Sequence, residues 1–275
     1  MSELLKKLET YADSDYLPMH MPGHKRRMGD LGNPFFIDIT EIDGFDDLHH
    51  AEGILKQAEE RAAELYGSEE THYLVNGSTS GILAAISGCT AAGGTVLLAR
   101  NSHKSAYHAV LLRGLHVHYI YPQPAGKMGI NGPVTAENVD RLLEEHPETK
   151  VVYITSPTYD GVVSDVEQIA EVVHRRKLPL IVDEAHGAHF PFSEQFPRDS
   201  VSCGADVVIH SVHKTLPSLT QTALIHLNGD LINREKIRYF LGVYQSSSPS
   251  YVMMAGIDQC MEWVSSHRKE FDSFA

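Results

Sequence analysis

Three short runs of this sequence hold residue types that can do chemistry. Ser211-Val212-His213-Lys214-Thr215 sets a lysine beside a histidine, directly after an apolar stretch. Burial disfavours the charged ammonium, so a lysine in such a place can become an amine nucleophile toward a carbonyl carbon. Val182-Asp183-Glu184-Ala185-His186-Gly187 ends another apolar stretch with an acid that could face a cationic ring nitrogen. Asn76-Gly77-Ser78-Thr79-Ser80-Gly81 gathers hydroxyls and glycines where a strand gives way to a helix. Free N–H groups at a helix start carry partial positive charge, which makes this run a phosphate cradle. Each run alone has an ordinary reading: a solvated lysine, an acidic turn, a capped helix. Together they supply what pyridoxal 5'-phosphate needs, namely a phosphate anchor, a carboxylate for the pyridinium nitrogen and a lysine for the aldehyde.

Rival chemistries fit less well. Asp183-Glu184-Ala185-His186 copies the DEAH box of helicases, yet no Gly-Lys-Ser or Gly-Lys-Thr exists to form a P-loop. The cradle approaches Gly-x-Ser-x-Gly, but Thr79 stands at its centre, which argues against a hydrolase nucleophile. His186 and His189 lie beside two carboxylates without the His-Glu-x-x-His pattern of zinc enzymes, so no metal is expected. Lys and Arg total 23 against 36 Asp and Glu, a net charge of −13. That balance argues against nucleic acid and against an anionic membrane surface as partners. The 17 histidines are numerous, and His24, His103, His186, His189, His210 and His213 fall in loop-like contexts near Gly, Ser, Asp or Lys. Three widely spaced cysteines suit a reducing compartment. No apolar run reaches the roughly 18 residues of a membrane span. A soluble, cytoplasmic protein is expected.

The elements that must position these runs read as an α/β alternation. Apolar strands are expected at Thr71–Val75, Thr95–Ala99, His116–Tyr121, Lys150–Thr155, Pro179–Asp183, Asp206–His210 and Thr222–Leu227. Amphipathic helices are expected at Glu52–Tyr66, Gly81–Gly88, Ser105–Arg113, Thr135–Glu145, Val166–Arg176, Asn233–Leu241 and from Val252 onward. Strands such as Val151-Val152-Tyr153-Ile154 are apolar on both faces, which predicts a three-layer sandwich around a mostly parallel sheet. In such sheets functional groups gather at the carboxyl ends of the strands, and the three runs lie there. Residues 1–50 read as an N-terminal helix and arm, and 51–275 as the major, cofactor-binding domain. The last helices run to Phe274-Ala275 without a closing turn, so a following segment is expected.

The chain resembles the major domain of the ornithine/lysine/arginine decarboxylase family, pyridoxal-phosphate enzymes of the aspartate-aminotransferase fold. The matching segments are Met21-Pro-Gly-His-Lys25, Glu41-Ile-Asp-Gly-Phe-Asp-Asp-Leu-His49, Asn76–Gly81, Asn101-Ser-His-Lys-Ser105, Asp183–Gly187 and Ser211–Gln221. They span nearly the whole chain from Leu17 onward. The resemblance implies that Lys214 bonds the cofactor aldehyde, that Asp183 keeps the ring nitrogen protonated, and that His103 stacks on the ring. It implies phosphate contacts from Ser78, Thr79 and Ser80, helped by Ser211 and His213, with Ala185 and His186 near the ring. Ser246, Ser247 and Ser248 match a segment that in the family reaches the phosphate across a dimer interface. The implied reaction is decarboxylation of a small basic amino acid by a homodimer or higher homo-oligomer. Proton delivery to Cα stays open among His103, His186 and Lys214. An aminotransferase or another lyase of the same fold, and a silent partner-binding chain without the family's small domain, are the alternatives.

Overall fold

Alternate residues of the strand Thr149–Thr155 (β4) enter two different cores, Val151 and Tyr153 one, Val152 and Ile154 the other. A strand buried on both faces needs helices above and below it. That is the arrangement in the computed structural model of the chain, which describes residues 2–25, 31–126 and 129–275. Besides β4 the sheet holds β1 (Glu70–Leu74), β2 (Thr95–Ala99), β3 (His116–Ile120), β5 (Leu180–Asp183), β6 (Val207–His210) and β7 (Ala223–Leu227). Their spatial order is β1-β7-β6-β5-β4-β2-β3. Pairs from β3 through β6 are parallel, whereas β7 runs antiparallel to both β6 and β1. The expected three-layer α/β sandwich with a mostly parallel sheet is therefore the fold, and every expected strand lies within one residue of its predicted bounds.

The helices divide between the faces. Their spans are α1 (Glu3–Ala12), α2 (Ile54–Tyr66), α3 (Gly77–Cys89), α4 (Lys104–Arg113), α5 (Ala136–Glu145), α6 (Val166–Arg175), α7 (Val212–Thr215), α8 (Arg234–Tyr244), α9 (Tyr251–Ser266) and α10 (Arg268–Phe274). Helices α3, α4 and α8 cover one face. Helices α5 and α6 cover the other beneath β2–β5, and α2 with α9 continue that layer toward β1 and β7. Helix α3 begins at Gly77 rather than Gly81, so the cradle residues are its first turn. The hydroxyl- and glycine-rich run has no apolar periodicity from which that start could be read.

Two details bear on the sheet's ends. The arm joins the body before residue 51: Leu48 is buried in the α2–α9 core, and Asp46 Oδ2 accepts Gly53 N at 2.7 Å and Leu55 N at 3.1 Å at the start of α2. At the β1 edge, side chains stand in for a missing neighbour strand. Glu59 Oε1 accepts Tyr73 N at 2.9 Å, Gln245 Oε1 accepts Val75 N at 2.9 Å, and Gln221 donates to the Val75 carbonyl. Among the described residues no helix is long and apolar enough to cross a membrane.

Candidate active site

The carboxyl ends of β5 and β6 are neighbours, and each delivers one half of an acid–amine arrangement, the acid buried and the amine half-buried. Asp183 closes β5 and is 2% exposed. Its Oδ2 accepts the Tyr153 hydroxyl at 3.1 Å, and its Oδ1 accepts the Ala185 backbone N–H at 3.2 Å. Burial raises the Asp183 pKa, against the opposing pull of the Lys214 ammonium, the Ala185 N–H, the Tyr153 hydroxyl and His103. Lys214 lies on α7, the short helix that follows β6. Burial lowers its pKa, against the Asp183 charge, so the amine is biased toward its nucleophilic form.

Histidines surround this pair. His186 is pushed down to about 4, by burial first and then by Lys214, His103 and His213. Its neutral Nε2 lies 3.1 Å from Lys214 Nζ and accepts one of the amine protons. His103 is the N-cap of α4: its Nδ1 accepts Ser105 N at 3.3 Å and lies 2.8 Å from Ser105 Oγ. That leaves the ring proton on Nε2 and locks the ring plane. Burial lowers the His103 pKa as well. His213 is turned to β7, with Nδ1 2.8 Å from the Thr222 carbonyl, and burial lowers its pKa too.

The cradle forms where two strand ends meet. Ser211, after β6, donates from Oγ to Ser78 Oγ at 2.9 Å, joining the start of α7 to the start of α3. No side chain caps α3, so its first N–H groups are open to a ligand. Thr79 is exposed beside them. Ser80 is buried and donates to the Gly77 carbonyl at 2.8 Å, so its hydroxyl serves the turn and only its backbone is available to the cradle. Ser246 N donates to Asn76 Oδ1 at 3.0 Å, which lays the serine run along the rim. Ser247 itself is exposed and meets none of the cradle hydroxyls among the described residues.

The N-terminal arm touches the lysine helix directly. Gly23 N donates to the His213 carbonyl at 2.8 Å. A Cβ at Gly23 would lie 2.5 Å from the Leu216 carbonyl oxygen, so only glycine permits this approach. Gly23 and Lys25 then line a cleft of about 600 Å³ with Lys214, Thr215, Trp263 and Phe271.

Behind Asp183, on the opposite face of the sheet, runs a chain of buried polar groups. Glu184 accepts Ser200 N at 3.1 Å, Ser200 Oγ at 2.7 Å and His210 Nε2 at 2.7 Å. His210 Nδ1 is 3.0 Å from His226 Nε2, and His226 Nδ1 is 2.7 Å from Thr71 Oγ1. One proton placement satisfies all of these contacts: Thr71 donates to His226, His226 to His210, and His210 to Glu184. Tyr66 covers both rings at centroid distances of 4.9 and 4.6 Å. The chain ties β5, β6, β7 and β1 together directly beneath the acid–amine pair.

Sequence reading missed Tyr153 and this chain. The Tyr153 signal was present, because β4 pairs Tyr153 with Ile181 and Thr155 with Asp183, which sets the tyrosine two residues behind the acid. For Glu184 the signal was alternation: the residue after Asp183 must face the other layer, where a buried carboxylate needs donors.

A family model described as Orn/Lys/Arg decarboxylase, major domain, matches residues 2–271. The uncharacterized protein YaaO of Bacillus subtilis (strain 168) is 40% identical over 274 residues, which cover 95% of this chain and 56% of that protein. An arginine decarboxylase of the same organism is 34% identical over 259 residues, 91% of this chain and 53% of that enzyme. The chain thus spans about half the length of the curated relatives it matches. Among solved structures, lysine decarboxylase A from Pseudomonas aeruginosa superposes with a TM-score of 0.77 at 24% identity, over 97% of this chain and 40% of that one.

Proposed function

The chain belongs to the ornithine/lysine/arginine decarboxylase family, and from that premise we propose that it uses pyridoxal 5'-phosphate to remove the carboxyl group of a basic amino acid, leaving the amine and carbon dioxide. The observation that supports this most is the convergence of Lys214, Asp183 and the Ser78–Ser211 hydroxyl pair at the ends of three strands. The donor set fits the cofactor in kind. An uncapped helix start with two paired hydroxyls suits a phosphate, a buried carboxylate suits a ring nitrogen, and an amine of lowered pKa suits an aldehyde. Asn101 Oδ1, two residues before His103, is buried without a partner and offers a further acceptor.

When bound, pyridoxal phosphate supplies an electrophilic carbon and a ring that accepts the electrons released as carbon dioxide leaves. The chain's own residues do the rest. Lys214 and the cradle hold the group at its two ends. Asp183, steadied by Tyr153 and Ala185, keeps a proton on the ring nitrogen. His103, fixed by Ser105, sets the plane. His186, neutral at physiological pH, holds Lys214 Nζ and can pass a proton to or from it. Ser247 is proposed to act on a second copy of the chain, in a cytoplasmic homodimer or higher homo-oligomer, with residues 51–275 as the cofactor domain. Arginine is the first substrate to test, since the named relatives at 32–34% identity are arginine decarboxylases.

The test is direct. The chain incubated with pyridoxal phosphate should gain a visible absorption band, and borohydride should fix the label to Lys214. Carbon dioxide release is then measured from arginine, lysine and ornithine. Lys214→Ala should abolish the fixed label and the release. A label fixed at another lysine, or full release from the variant, would overturn the assignment.

A further inference from the structure

Gln221 stands where the backbone favours glycine. It lies in the turn between α7 and β7 with φ at +83°, a left-handed conformation that residues with a Cβ rarely adopt. Such an exception beside a candidate active site calls for a physical reason. The side chain supplies one: its amide donates to the carbonyl of Val75, the residue that follows β1. The Gln221 carbonyl oxygen also packs close to Gly77, 3.9 Å from where a Cβ there would lie, at the first residue of α3.

The same turn is anchored to the lysine helix. The carbonyl of Thr222, the next residue, accepts His213 N at 3.4 Å and lies 2.8 Å from His213 Nδ1. His213 is the immediate neighbour of Lys214. On its other side the Val75–Asn76 peptide is held by the end of α8. Gln245 Oε1 accepts Val75 N at 2.9 Å, and Asn76 Oδ1 accepts Ser246 N at 3.0 Å. Asn76 is the N-cap of α3, yet with its side chain drawn to Ser246 it leaves the helix uncapped.

A short path of bonds therefore runs from the lysine helix to the phosphate cradle. It goes from Lys214 and His213 through Thr222 to Gln221, then across its amide to Val75 and into α3. A glycine at 221 would suit the backbone but would leave the Val75 carbonyl without this donor. A ligand held at two ends gains from the second end only if the two anchors keep the right spacing. Gln221 is the side chain that spans the interval between them.

We propose that Gln221 is a positioning residue: through Val75 it sets the distance between Lys214 and the phosphate cradle at the start of α3. This role rests on the proposed reading of the site as one for pyridoxal 5'-phosphate, and it adds the brace that keeps the two anchors in register. Gln221 itself touches neither the lysine nor the cradle hydroxyls among the described residues. The sequence alone hides the role, because Val75 lies 146 positions away and meets the turn only when β1 pairs with β7.

The experiment compares pyridoxal 5'-phosphate, which uses both anchors, with pyridoxal, which has no phosphate and uses the lysine alone. Each is titrated into the 275-residue chain by its absorption band. The parent should bind the phosphorylated form more tightly. Gln221→Gly and Gln221→Asn both accept the positive φ, and neither reaches the Val75 carbonyl. Each should weaken pyridoxal phosphate by about fivefold, the worth of one hydrogen bond, and leave pyridoxal within about twofold. Both variants should melt within about 4 °C of the parent. A parent that discriminates, beside variants with an unchanged ratio of the two affinities, would overturn the brace and leave the function standing. Equal loss of both ligands together with a lower melting temperature would mark a merely structural residue and overturn it too. A parent that forms no band with pyridoxal phosphate would remove the proposed function, and the brace with it.

Discussion

Replacing Glu184 by Gln tests whether the buried donor chain is what fixes the strand ends beneath the cofactor site. The carboxylate now receives protons from Ser200 N, Ser200 Oγ and His210 Nε2 and donates none. Glutamine keeps one acceptor oxygen but turns two N–H donors toward one side. If they face Ser200, its backbone N–H keeps only Oε2, at 3.1 Å, and the Ser200 hydroxyl must turn from donor to acceptor. If they face His210, the proton placement through His226 to Thr71 must reverse. Either outcome removes a charge-assisted bond worth about 1.5–3 kcal/mol or leaves a donor unpaired at about 1–3 kcal/mol, so a loss of about 1–3 kcal/mol is expected. For a chain of this size each kcal/mol moves the melting temperature by about 2–4 °C, so the drop should be roughly 2–12 °C. Thermal melts and urea titrations measure it, and histidine ¹⁵N shifts report the tautomers of His210 and His226. Ser200→Ala, which removes one hydroxyl donor but keeps the backbone N–H, should cost about 1 kcal/mol. A melting temperature for Glu184→Gln within a degree of the parent, with unchanged histidine shifts, would refute the reasoning.

Gly23→Ala should displace the arm from α7, because its Cβ meets the Leu216 carbonyl. The band that pyridoxal phosphate forms with Lys214 should then weaken, while the melt stays within about 1–3 kcal/mol of the parent. Stability should also fall as pH drops from 6.5 toward 4. His186 and His189 are both held near 4 by burial, so the folded chain resists protons that the unfolded chain binds. Urea midpoints across that window measure this, and His189→Asn should flatten the slope. On the alkaline side burial opposes charge on His72, but Glu59 and Glu70 overcome it and lift its pKa to about 9. Its contribution is therefore complete below 6.5 and lost as pH rises through 9, and His72→Gln should remove that limb.

How much of this was legible depended on whether a residue's role follows from its own neighbours in sequence. Strands such as Val151–Ile154 and Leu180–Val182 were readable because apolar residues on both faces have one structural use. The direction of β7 was not, since Ala223–Leu227 carries no mark of polarity and its antiparallel course depends on the turn after α7. Asp183, Lys214, His103 and His186 could be named because each ends or follows an apolar strand, and the geometry brings all four within mutual influence. Ser80 shows the limit of that approach: its type suits a phosphate, while its hydroxyl is spent on Gly77. His210 and His226 look like polar exceptions in apolar strands until antiparallel pairing puts them side by side with Glu184.

The side chains that occupy the outer rim of β1 have a further consequence. A strand whose outward N–H groups at Tyr73 and Val75 are already engaged by Glu59 and Gln245 offers a passing extended peptide fewer donors to zip onto. Growth of the sheet is hindered there by side-chain caps, without proline or a bulge. A Gln245→Leu change would free the Val75 N–H and bare part of that border to pairing by another strand.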